Sequence, residues 1–158
     1  MHYAVTAMVE ISKENDFRLQ QLERDYAAHP EDFAVLEAYT DFLWSCLSQH
    51  LMQGQVEAMN RELFATLIRR KVAMQATEDD YVHMVTNDIH RGNYTEAGMA
   101  LDEMRSLWPK NEAYYLLKVQ YLSMLGKGEE IRRLLSEIES AEVYISSKGK
   151  EALAFWQK

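Results

Sequence analysis

Two stretches of this chain echo one another at a distance of 34 residues, and no other feature constrains the fold as strongly. Gly92 and Gly126 are 34 apart, and so are Tyr81 and Tyr115, Val85 and Val119, Leu101 and Leu135, and Met104 and Ile138. A period of this length is one helix, a turn and a second helix. The echo therefore predicts stacked helical hairpins. The competing reading is an irregular helical bundle whose turns happen to fall at that spacing. Hairpin stacks of this kind present a surface to another protein and rarely carry chemistry, so the period already points to a class of function.

The stretch Gly92-Asn93-Tyr94-Thr95-Glu96-Ala97, continuing through Leu101 to Pro109, resembles the second half of a tetratricopeptide unit. With Glu78 as position 1, Gly92 falls at 15, Tyr94 at 17, Ala97 at 20, Leu101 at 24 and Pro109 at 32. Glycine supplies the positive φ at which a first helix stops. Alanine lets two helices approach closely, and proline ends the second helix. The resemblance implies an all-α, TPR-like α-α superhelix of antiparallel hairpins with a C-terminal capping helix. The second unit is degenerate: Ile131 stands where the alanine belongs and Lys118 replaces an apolar residue. Val85 and Val119 occupy the small-residue position of the first helix, and Asp88 and Leu122 replace a tyrosine.

One domain is expected over 1–158. It comprises an irregular helical pair over 15–75, two TPR-like units over 78–140 and a capping helix over 145–158. Within the first part, apolar spacing predicts helices at about 16–28, 31–52 and 55–73. Asn15-Asp16 offers the first N-cap, and the Arg69-Arg70-Lys71 cluster complements a helix C-terminus. Thr77-Glu78-Asp79-Asp80 resembles a capping box opening a helix at 78–91. Helices at about 94–107, 111–125, 128–140 and 145–157 complete the chain, with Ser146 or Ser147 capping the last. Tyr3, Val5, Val9 and Ile11 allow either a short helix or an extended arm.

The 158 residues carry 25 acids and 17 bases, a net charge of −8 that argues against a general nucleic-acid binder. No run reaches the roughly 18 apolar residues of a membrane span. Met1 to Glu10 lacks a basic n-region, so with Met1 as the start a cytoplasmic protein is expected. Cys46 is the only cysteine, which excludes an internal disulfide. Its apolar surroundings make it a small core residue rather than a nucleophile.

Candidate chemistry is sparse. His83 and His90 are seven apart on one helix, with Asp79 and Asn87 flanking His83 at four-residue spacing. A small helical metal protein or enzyme using these histidines and nearby acids is an alternative reading, although a metal site favours tighter spacing. Glu129-Glu130 and Glu137/Glu139 read as solvated faces, and no phosphate loop or hydrolase elbow occurs. No cofactor is expected.

In tetratricopeptide proteins the first helix of each unit lines a concave groove. The resemblance assigns that role here to Asp79, Val82, His83, Thr86, Ile89 and His90, and to Ala113, Leu116, Leu117, Gln120, Ser123 and Met124. The lysine and asparagine clamp of chaperone-binding members is missing. The groove is instead largely apolar and suits an amphipathic helix or peptide from another protein. Residues 78–157, through Arg91-Gly92-Asn93-Tyr94 and the extra final helix, resemble the small helical-repeat chaperones of bacterial type III secretion, which hold a needle subunit by its amphipathic C-terminal helix. Leu22 to Tyr39 and Ser48-Gln49-His50 resemble the repeat domain of cytochrome c maturation factors. A non-enzymatic adaptor or chaperone is thus the leading expectation. Self-association through Phe155 and Trp156 of the last helix is a further alternative.

Overall fold

The structure is a computed structural model and describes residues 9–157. Among these residues the chain is all-α, with helices α1 (Lys13–Ala28), α2 (Phe33–Ser48), α3 (Gly54–Met74), α4 (Glu78–His90), α5 (Tyr94–Leu107), α6 (Glu112–Met124), α7 (Gly128–Ser140) and α8 (Ser147–Trp156). It divides into two compact units, the first ending at Gln75 and the second beginning at Ala76. That boundary falls where irregular helix lengths give way to the 34-residue period.

In the first unit, α2 packs against both α1 and α3. The period-3.6 apolar stripes make this packing possible. Leu19 and Leu22 of α1, Leu36, Tyr39, Leu43, Cys46 and Leu47 of α2, and Phe64, Leu67 and Ile68 of α3 are all buried. Each such side chain contributes roughly 1.5–3 kcal/mol. The Trp44 ring lies 5.1 Å from Phe64. Tyr26 meets Tyr39 edge-on at 6.0 Å, and its hydroxyl accepts a 2.6 Å hydrogen bond from Arg70 Nη1 on α3. Helix α1 begins earlier than the spacing predicts because Ser12 is the cap, its Oγ accepting from the Asn15 N–H at 3.2 Å. Lys71 does not simply complement a helix end. It is buried, with Nζ 3.9 Å from Glu37 Oε2 and 3.7 Å from Asp41 Oδ1 on α2. Burying an ammonium requires such partners.

Of the N-terminal expectation, Tyr3 and Val5 lie outside the described residues. The residues after Val9 form an extended arm: Ile11 makes an isolated antiparallel bridge with Met52, and the Glu10 carbonyl accepts from the Gln53 N–H at 2.8 Å. The Glu10 carboxylate accepts from the Gln55 N–H at 2.8 Å. It thereby caps α3, whose own cap residue Gln53 makes no side-chain bond.

The second unit stacks α4–α5 and α6–α7 as hairpins, with α6 also packing on α4, α5 and α8. The glycine echo has a clear cause. After α4, the Asn93 N–H bonds to Asp88 O at 2.9 Å and the Gly92 N–H to Ile89 O at 3.0 Å. After α6, the Lys127 N–H bonds to Leu122 O at 2.9 Å and the Gly126 N–H to Ser123 O at 3.0 Å. Both are Schellman caps, which require a left-handed residue. Gly92 and Gly126 supply it with φ of 76° and 70°. The same pair of bonds recurs after α2 around His50 and after α7 around Glu142, with φ of 56° and 53°. These two caps carry no glycine. The first of them stops α2 at Ser48, short of the expected 52.

Helix α8 is more than a cover. The N-caps of α4, α6 and α8 are Thr77, Asn111 and Ser146. Their near-equal spacing places α8 in the register of the first helix of a third hairpin. Ser146 caps it as expected, its Oγ accepting from the Gly149 N–H at 3.0 Å.

Candidate functional site on helices α4 and α6

The first helices of the two hairpins, α4 and α6, pack side by side and carry all the residues assigned to the groove. On α4, Val82, His83 and Thr86 are half-buried, while Asp79 and His90 are exposed. The Thr86 hydroxyl donates to the Val82 carbonyl at 2.6 Å. On α6, Ala113, Leu116, Gln120 and Ser123 are half-buried and Met124 is half-exposed at 50%. Two residues of the expected set belong to the interior instead. Ile89 is 4% and Leu117 8% exposed, so both support this face from beneath and do not present themselves on it. Among the described residues no group of three or more His, Cys, Asp or Glu side chains converges to hold a metal ion. No helix among them is long and apolar enough to cross a membrane.

The frame beneath this face is held by bonds that track the repeat. Asn111 Nδ2 donates to Glu78 Oε2 at 2.7 Å. The Ser146 N–H donates to Glu112 Oε2 at 2.7 Å, and its hydroxyl to Glu112 Oε1 at 3.0 Å. Glu78 and Glu112 thus do the same work in consecutive units: an acid in the first turn of one first helix holds the cap of the next. The acid also sits at the positive end of its own helix dipole. Sequence reasoning did not single out this pair, although the 34-residue identity of the two glutamates was the available signal.

Aromatic packing stiffens the second helices against the first. Tyr81 lies edge-on to Trp108 at 5.5 Å and donates to Glu103 Oε2 at 2.9 Å. Burial, then the hydrogen bond to Glu103, then the Glu103 charge push its pKa up to about 12. Arg105 on α5 lies 5.4 Å over the Tyr114 ring of α6 and ion-pairs with Glu137 on α7. Burial raises the Tyr114 phenol, with Arg105 acting in the opposite direction. Asp80, Asn87 and Asp88 are buried along α4, with Asp88 Oδ1 3.9 Å from Arg91 Nη1.

Two cavities flank this framework. One, of about 440 Å³, is lined by residues of the α6–α7 turn, the first half of α7 and the end of α8. The other, also about 440 Å³, lies where Glu78, Lys110, Asn111 and Tyr144 meet. No sequence pattern announces either, and Ser123, assigned to the groove, lines the first. With Ser146 as the cap, the register positions of the α4–α6 face on α8 carry Lys148, Glu151, Ala152 and Phe155, of which Ala152 alone is half-buried and the others are exposed.

No family model matches this chain. No curated protein and no solved structure matches it either.

Proposed function

We propose that the chain is a non-enzymatic protein-interaction module of tetratricopeptide type, an adaptor or chaperone that holds an amphipathic helical segment of another protein on the α4–α6 face. One observation carries this reading: Val82, Ala113 and Leu116 are half-buried and Met124 half-exposed on two adjacent first helices. Side chains already partly withdrawn from water lose little rotamer freedom when covered, and each gains further burial from a partner. Anchors at i, i+3, i+4 and i+7 of a partner helix match such a face. Met124 adapts to imperfect fits. The resemblance to secretion chaperones supports the same reading.

Leu116→Glu tests it. Partner proteins captured by the wild-type chain are identified, and the helical segment they share is titrated as a labelled peptide. The expected outcome is at least tenfold weaker binding by Leu116→Glu with an unchanged helical circular dichroism spectrum. Equal affinity in the folded variant removes the face from the binding site.

A further inference from the structure

The two hairpins of the second unit differ at several aromatic positions, and a cavity opens beside one of them, where Gly128 stands at the place of Tyr94. In the first hairpin Tyr94 opens α5, and its ring lies 6.3 Å from the ring of Tyr121 on α6. One period later Gly128 opens α7, and Trp156 on α8 stands 35 residues after Tyr121. Here the second ring is missing. A cavity of about 440 Å³ at this place is lined by residues that include Gly128, Ile131, Arg132, Leu135 and Trp156. Ile131 is buried, and Leu135 and Trp156 are half-buried, so an apolar patch lies within a cavity whose lining is otherwise polar. Lys127 and Arg132 stand at the rim, both exposed. Arg132 Nη2 is 3.8 Å from Glu129 Oε1, with both side chains more than two-thirds exposed, and such a pair exchanges readily with another carboxylate.

We propose that this cavity is a second recognition site, taking one aromatic side chain from an acidic segment of a partner protein. The preceding hairpin points to the occupant, because there the Tyr94 ring lies 6.3 Å from that of Tyr121 at the corresponding place in the repeat. Trp156 offers an indole for offset or edge-to-face packing. The volume lies at the lower end of the range for small-ligand sites, roughly 300–1,000 Å³, and admits a phenol or an indole. The rim cations select the flanking residues: carboxylates beside the aromatic gain Lys127 and Arg132, while lysines are repelled. Ser123 and Gln157 in the wall can pair with a phenol hydroxyl. This site adjoins the α4–α6 face, with which it shares Ser123, but does not rest on that face's assignment.

The probe is the blocked tripeptide Glu-Tyr-Asp, with Glu-Ala-Asp and Lys-Tyr-Lys as controls. Binding to the full chain is monitored through the indole N–H resonance of Trp156, identified by its loss in Trp156→Phe. The acidic tyrosine peptide is expected to shift that resonance saturably, and each control to bind at least tenfold more weakly. Gly128→Tyr restores the ring in cis, and an added Cβ there meets only Arg132 Nη1 at 3.8 Å. That variant is expected to fold, melt at a higher temperature and lose the peptide. No saturable shift with the wild-type chain at millimolar peptide overturns the proposal, and so does unchanged binding by a folded Gly128→Tyr. Equal binding of the alanine peptide removes the aromatic requirement, and equal binding of the lysine peptide removes the acidic one. Self-association that Gly128→Tyr abolishes assigns the cavity to a second copy and overturns the partner assignment.

Discussion

Gly149→Ala reverses an ordinary rule, which makes it a sharp test of how α8 is held. Alanine inside a helix is favoured over glycine by up to ~1 kcal/mol. At this position a Cβ would lie 2.7 Å from Glu112 Oε2 and 2.8 Å from Ile145 Cγ2. Glu112 cannot retreat freely, because its two oxygens accept both the Ser146 N–H and the Ser146 hydroxyl. Displacing it weakens hydrogen bonds to a charged group, about 1.5–3 kcal/mol, and overpacking against Ile145 adds ~1–3 kcal/mol. After the helix-propensity gain, a net destabilisation of about 1.5–5 kcal/mol is expected. Urea unfolding monitored by circular dichroism would show it as a midpoint lowered by roughly 1–2 M at a typical m-value. Glu112→Ala removes the obstructing carboxylate, so Gly149→Ala should cost at least ~1 kcal/mol less in that background. A neutral or stabilising Gly149→Ala, or perfect additivity with Glu112→Ala, refutes the close approach of α8 to α6.

The helix ends and the buried phenols supply two further expected outcomes. Glu142 holds a Schellman cap at φ 53°, a conformation that costs an L-residue about 1–2 kcal/mol, so Glu142→Gly is expected to raise stability by ~1 kcal/mol; an unchanged melting temperature would count against that cap. Burial, reinforced by Glu23 for Tyr39 and by Glu103 for Tyr81, holds both phenols neutral up to about 12. The unfolded chain releases these protons first, near 10, so this stability is whole below that pH and is lost as pH rises from 10 through 12. Ultraviolet titration should resolve a late tyrosinate step that moves to 10 in denaturant, and a single step at 10 in the native protein contradicts the burial.

Much of the fold was legible because helix physics is local. The apolar stripes of α2 and α3 run at 3.6-residue spacing, and Thr77 and Ser146 cap helices by side-chain bonds to nearby N–H groups. The echo of Gly92 and Gly126 was visible because a left-handed cap favours one residue type. The same cap at His50 and Glu142 was invisible, since its bonds are to backbone and its residues are not glycine. Buried charges were equally hidden. Lys71 reads as a dipole partner until α2 brings Glu37 and Asp41 beside it, and the capping of α3 by Glu10 links residues 45 apart. Long-range pairs of this kind have no sequence period to announce them. Within the groove set, Ile89 and Leu117 fell to the interior because register alone does not separate a half-buried position from a fully buried one.

A repeat carries information in its agreements and in its departures, and the two concern different links of the chain from sequence to function. Positions that agree between the hairpins serve the frame: Gly92 and Gly126 close the helices, and Glu78 and Glu112 fasten each first helix to the next cap. Neither pair is free to vary without loosening the stack. Positions that differ are released from that duty. Tyr94 becoming Gly128 removes a ring that packing alone would favour, and no other aromatic of α7 replaces it. Dispersion and burial both oppose an open slot beside Trp156. A slot that persists against that gradient, rimmed by Lys127 and Arg132, is better explained by an occupant from outside than by the needs of folding. The Gly128→Tyr variant weighs those two accounts directly: its gain in stability measures what the fold forgoes, and its loss of peptide measures what the slot receives.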